Sequence, residues 1–168
     1  MELPCLTISP GALSAFRWVG WTGDVWVCDI CQPCIENARH MRRYYPEVKI
    51  KTPLHLDVRQ AVRLLCMYRI KPIVDMDLAF NLPKAMPILT DVLRTLVEFG
   101  VHTKVLLTYV NHRDGFGRHA NARRIKYLEK HLPSGVKYAG SHNYASGWSN
   151  EHHSYSKGSA MSVADIRT

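Results

Sequence analysis

What most constrains this chain is a change of hydrophobic period that repeats along it. Short apolar runs rich in β-branched residues give way to stretches whose apolar residues recur every three or four positions, and then return. The runs predict seven strands: Leu3 to Ile8, Val25 to Cys28, Val48 to Lys51, Ile73 to Met76, Val105 to Val110, Val136 to Ser141 and Ala160 to Ile166. Helical patterns lie between them, carried by Ile35, Ala38 and Met41, by Val58, Val62 and Leu65, by Ile88, Leu89, Val92, Leu93, Leu96 and Val97, and by Ala122, Ile125 and Leu128. Gly100 is placed to end the third helix. Such alternation implies right-handed crossovers and hence an α/β domain with a mainly parallel sheet flanked by helices, whose ligands sit beyond the carboxyl ends of the strands. No helical pattern separates the last two strands, which predicts an antiparallel pair at one edge. The stretch from Gly140 to Ser159, rich in Gly, Ser and His, reads as a long loop.

One such domain, with one core, is what 168 residues without repeat or linker predict. A hydrophobic fraction of 46% with 21% charged residues leaves no room for a large disordered region. No stretch approaches the roughly 20 apolar residues that span a bilayer, and the opening MELPCLTISP has neither the basic flank nor the apolar centre of a signal peptide. Five cysteines without framework spacing suit a reducing compartment, so the chain reads as intracellular, with no membrane segment. A surplus of 22 basic over 14 acidic residues, a formal charge of +8, favours a polyanionic partner.

Chemistry concentrates at the ends of the predicted strands. The first runs into the small-residue turn Ser9-Pro10-Gly11-Ala12 and then an apolar helical start, an arrangement that lets a cofactor approach the backbone, with Gly11 as the pivot. The second delivers Asp29, followed by Ile30, at its carboxyl end, where a carboxylate can accept both hydroxyls of a ribose. After the fifth strand comes a basic segment holding Arg113, Arg118, Arg123, Arg124, Lys126 and Lys130, with Phe116 between glycines. Guanidinium groups beside an aromatic ring suit phosphate contact and base stacking. Cys28, Cys31 and Cys34 form C-x-x-C-x-x-C, with His40 as the nearest candidate for a fourth ligand. A structural zinc site wants four ligands, and buried or ordinary thiols are the simpler expectation, so no metal is assigned. Trp18, Trp21 and Trp26 are expected in packing, while His152, His153 and Trp148 fall in the polar loop.

With its glycine turn after strand one and its carboxylate after strand two, the chain resembles the class I, Rossmann-like S-adenosylmethionine-dependent methyltransferases. VWVCDICQPCIENARHM is similar to that family's second strand and following helix. The resemblance implies S-adenosylmethionine as cofactor, with Asp57 near the adenine amino group and Asp75 beside the cofactor. In amino-methylating members the fourth strand ends in an acidic or amide residue, two residues that are usually prolines, and an aromatic. Asp77-Leu78-Ala79-Phe80 matches the ends of that pattern without either proline. It implies Asp77 and Phe80 as the catalytic pair, one accepting hydrogen bonds from an exocyclic amine and the other stacking on the extruded base. The implied acceptor is DNA or RNA, with Arg113, Phe116, Arg118, Arg123 and Arg124 on the nucleic acid. The chain is short for a family that commonly adds a recognition domain, so recognition falls to its loops or to a partner subunit. Two other readings stay open. One is a non-catalytic nucleic-acid-binding module that keeps this fold, and the other an oxidoreductase using a nicotinamide dinucleotide, although the chain lacks its G-x-G-x-x-G spacing.

Overall fold

The structure, a computed structural model, describes residues 4–8, 18, 20–111, 114–116, 120–145 and 160–168, with the backbone alone at 79, 142–145 and 160–163. Among the described residues six strands form one sheet: β1 (Cys5–Ile8), β2 (Val25–Cys28), β3 (Ile73–Asn81), β4 (Lys104–Val110), β5 (Lys137–Ala145) and β6 (Ala160–Arg167). Four helices of the described residues accompany them, α1 (Gln32–Tyr44), α2 (Val58–Met67), α3 (Leu82–Glu98) and α4 (Asn121–His131). The strand order is β2-β1-β3-β4-β6-β5. β1 pairs in parallel with β2 and β3, β3 in parallel with β4, and β6 is antiparallel to both β4 and β5.

The predicted third strand takes the seventh position. It docks along the outer edge of β2 through two parallel bridges, Val25 with Ile50 and Cys28 with Leu54. Lys51 N–H donates to the Val25 carbonyl at 2.9 Å and Leu54 N–H to that of Val27 at 2.8 Å, so the segment pairs without becoming a continuous strand. The terminal antiparallel pair forms as expected, but β6 lies inside and β5 at the edge. Nor does β5 end at Ser141. It continues to Ala145, because a Gly-, Ser- and Asn-rich sequence that would be loop in isolation is held here by the β6 ladder.

Two apolar clusters sandwich the sheet. The larger is built by Leu6, Val74, Met76, Leu78, Val105, Leu107, Tyr109, Ala164 and Ile166 from the strands, against α2, α3 and Leu128 of α4. The smaller joins Val25 and Val27 to Ala38 and Met41 of α1 and to Val48 and Ile50, with Trp18 and Trp21 packed edge-to-face at 5.1 Å. In α3 the buried stripe is Leu82, Ala85, Met86, Leu89, Val92, Leu93 and Leu96, while Val97 faces water at 46% exposure. In α4 the buried positions are Arg124 and Leu128, and Ala122 is exposed, so the inward face is rotated from the one the aliphatic residues predict. No helix among the described residues is long and apolar enough to cross a membrane.

Gly100 ends α3 as expected. Its N–H donates to the Val97 carbonyl at 3.0 Å and that of Val101 to Leu96 at 2.9 Å, the paired bonds of a Schellman motif, with Gly100 at φ +61°. A Cβ built there meets nothing within 4 Å, so only the left-handed backbone opposes a side chain. Gly100→Ala is therefore expected to cost about 1–2 kcal/mol, read as a lower urea midpoint with an unchanged m-value.

Candidate active site

The sheet order reverses at β1: the chain passes from β1 outward to β2, then returns across β1 to β3 and on to β4. Crevices of open α/β sheets lie at such a reversal, outside the carboxyl ends of the strands. Thr7 of β1 lies opposite both Val27 of β2 and Asp75 of β3. Asp29 and Asp77, each two residues further along, therefore stand at one level on either side of the end of β1, about 10 Å apart by ordinary strand spacing.

Asp29 is half-buried. Its Oδ1 accepts the Cys31 N–H at 2.8 Å, and its own N–H donates to the Leu54 carbonyl at 3.1 Å. Ile30 is 72% exposed, and its carbonyl lies 3.0 Å from Nε2 of His55, which ties the segment after Leu54 to the loop after β2. Asp57 begins α2 with a capping box: its side chain accepts the Arg59 N–H at 2.9 Å, and Gln60 Oε1 accepts the Asp57 N–H at 3.2 Å. Arg59 also grips the Asp57 carboxylate through Nε at 2.7 Å and Nη2 at 3.1 Å, and this guanidinium holds the carboxyl below its ordinary range. The expected adenine contact thus falls on a carboxylate already engaged by a helix cap and by the Arg59 guanidinium, roles that account for aspartate at this position without a ligand.

Asp75 is 1% exposed and accepts the indole N–H of Trp18 at 3.0 Å. Asp75 lies inside β3, two residues before Asp77. Burial first, and Asp75 second, push the Cys5 thiol far above its ordinary range. Trp18 is more than packing, because its N–H satisfies a buried carboxylate 57 residues away. No spacing in the sequence announces that contact.

Asp77, Leu78 and Phe80 sit where β3 departs from its partner. Asp77 lies opposite Thr108 and Asn81 opposite Val110, so β3 spends four residues where β4 spends two. A bulge of this kind unpairs backbone and re-aims side chains, and bulges collect beside active sites. Here Leu78 stays in the core at 8% exposure while Phe80 is 45% exposed, and Asp77 is half-buried. Asn81 then caps α3, accepting the Lys84 N–H at 3.2 Å.

In the basic segment, Arg124 departs from expectation. It is 1% exposed, with Nε 2.5 Å from Asp114 Oδ2 and Nη2 3.3 Å from Oδ1, so its charge is spent on a buried ion pair rather than offered to phosphate. Asp114 also accepts the Phe116 N–H at 3.0 Å. The half-buried Phe116 ring meets Tyr127 edge-on at 5.1 Å. Arg123 is exposed on α4. Ser9, Pro10, Gly11, Ala12, Arg113 and Arg118 lie outside the described residues, as do Trp148, His152 and His153. Among the described residues no group of three or more His, Cys, Asp or Glu side chains is placed to share a metal ion.

By sequence, the chain matches no protein-family model and no curated protein. By structure it is similar to an S-adenosylmethionine-dependent methyltransferase from Anabaena variabilis, with a TM-score of 0.63 and 14% identity over 99% of this chain and 77% of that one. It is also similar to an rRNA methylase from Streptococcus thermophilus, at 0.56 and 11% over 99% and 87% of the two chains. A third likeness is to the N-methyltransferase NodS from Bradyrhizobium japonicum in complex with S-adenosyl-L-homocysteine, at 0.56 and 11% over 99% and 78%. The chain therefore has the Rossmann-like fold of class I S-adenosylmethionine-dependent methyltransferases.

Proposed function

We propose that this chain is an S-adenosylmethionine-dependent methyltransferase acting on an exocyclic amine of a base in DNA or RNA. The observation that carries the reading is the bulge from Asp77 to Asn81, which falls at the sheet's reversal, level with Asp29 and one strand beyond β1 on the other side. Asp29 and the end of β1 would hold the cofactor, and Asp77, at the same level on the other side of β1, would meet the acceptor. When bound, S-adenosylmethionine supplies a methyl group activated by its sulfonium. The chain's own work is then alignment: Asp77 accepts the amine's hydrogen bonds and orients its lone pair, and the exposed face of Phe80 stacks on the base. Asp29 would hold the ribose, with Ser9, Pro10, Gly11, Ala12, Ile30 and Asp57 as the further cofactor contacts. Arg113, Arg118 and Arg123 take phosphate, with Phe116 on the same nucleic acid. The chain's net charge of +8 and the likeness to an rRNA methylase favour a nucleic acid over a small molecule.

Incubation with labelled S-adenosylmethionine and separate DNA, RNA and protein acceptors, followed by nuclease digestion, tests this directly. The expected result is label in one amino-methylated nucleoside. Label confined to protein, or none in any acceptor, would refute the assignment.

A further inference from the structure

The cysteine motif is left unused by methyl transfer, and its second and third thiols, Cys31 and Cys34, differ sharply from the chain's other three. Cys5, Cys28 and Cys66 are buried, and burial pushes each thiol up. Cys31 is exposed and Cys34 half-buried, and both are reduced in this structure. They occupy the N-cap and third position of α1, directly after β2, with Gln32 and Pro33 between them. A C-x-x-C pair at the start of a helix that follows a strand is the arrangement in which dithiols cycle. Residues three apart on a helix have Cβ atoms about 5–6 Å apart, and a disulfide needs about 3.5–4.5 Å. The Cys31 backbone is extended, at φ −90° and ψ 116°, so rotation there can close the difference without unwinding α1. Pro33 fixes the backbone between the sulfurs and gives up no helical N–H in doing so. The first turn of α1 carries no acidic residue to oppose the helix dipole.

We propose that Cys31 and Cys34 form a dithiol–disulfide couple at the mouth of the crevice. The co-reactant is a low-molecular-weight disulfide. The Cys31 thiolate attacks one of its sulfurs, forming a mixed disulfide and releasing one thiolate. Cys34, as thiolate, then attacks Cys31 Sγ, closing the intramolecular bond and expelling the second thiolate. The protein pair is oxidised by two electrons, the small disulfide is reduced to two thiols, and the two protons from the cysteines leave on those thiols. The Cys31 N–H is bonded to Asp29 Oδ1, so closing the bond shifts the backbone that positions this carboxylate. This coupling, unlike the couple itself, rests on the proposed cofactor site.

The test equilibrates the full chain in glutathione buffers of graded ratio, quenches with acid, alkylates free thiols and maps peptides by mass. The expected product is a Cys31–Cys34 bridge, formed and lost in one transition. In Cys34→Ser a stable glutathione adduct should remain on Cys31, and in Cys31→Ser the site should react about tenfold more slowly or less, since the exposed attacking sulfur is gone. An unresolved adduct in the natural chain, pairing of Cys28 with either partner, or no reaction at Cys31 would overturn the couple. S-adenosylhomocysteine affinity, compared between reduced and oxidised protein, is expected to fall about fivefold or more on oxidation. Equal affinities would overturn the coupling alone. Absence of binding by the reduced protein would instead count against the cofactor site, leaving the sulfur chemistry to stand on its mass map.

Discussion

Asp77→Ala is expected to lower methyl transfer by about 10²–10³-fold while leaving S-adenosylhomocysteine affinity within about twofold, because the carboxylate orients the acceptor amine and positioned groups of this kind supply that much. The split follows from geometry. Asp29 and Asp77 flank the end of β1 from opposite sides, so one carboxylate can be removed without disturbing the other. Asp77→Asn, which keeps a hydrogen-bond acceptor, should recover part of the lost rate. Single-turnover kinetics with saturating cofactor and acceptor would measure it. If Asp77→Ala turned over within tenfold of the natural chain, the acceptor would have to bind elsewhere. Phe80→Ala, by contrast, should weaken acceptor binding by about 1–3 kcal/mol, the usual worth of one base stacked on an aromatic ring.

A comparably large effect, on stability rather than turnover, is expected at Arg124. Its side chain and that of Asp114 are 1% and 2% exposed. Removing one partner from such a pair strands the other charge in a medium that cannot solvate it, at about 3–5 kcal/mol. Arg124→Ala should therefore take away a large share of the 5–15 kcal/mol typical of a domain, seen as a much lower urea midpoint. Arg124→Met combined with Asp114→Leu should recover most of the loss, because replacing both members removes the stranded charge. Recovery will stop short of complete, since Asp114 also accepts the Phe116 N–H. If Arg124→Ala unfolded at the same midpoint as the natural chain, the ion pair would carry no stability. Loss of nucleic-acid affinity at unchanged stability would return Arg124 to the phosphate role that its sequence context implies.

That reversal shows where sequence reading stops. Apolar periodicity placed α1 through Ile35, Ala38 and Met41, and all three are buried. Gly100 as terminator was equally legible, because a left-handed residue after a helical stripe leaves a local signature. The segment from Val48 to Lys51 reads as a strand by composition, yet it only bridges the edge of β2, since pairing depends on a neighbour rather than on its own residues. Arg124 reads as a phosphate ligand because its partner lies ten residues upstream, a separation that no helical or strand period describes. Trp18 and Asp75 are further apart still, and their hydrogen bond exists only because the fold brings β3 back beside β1. The Asp77 to Asn81 bulge was hidden in the same way. A run of strand-forming residues shows no extra length until its partner strand is known.

Calorimetric titration of S-adenosylhomocysteine into the reduced protein, alongside Asp29→Ala, bears most directly on the crevice at the end of β1. One-to-one binding is expected, weakened about 10–100-fold in the variant, as the loss of charge-assisted hydrogen bonds to a ribose would do. No heat of binding, or equal affinity in the two proteins, would contradict it and leave the fold as a scaffold for binding nucleic acid without methyl transfer.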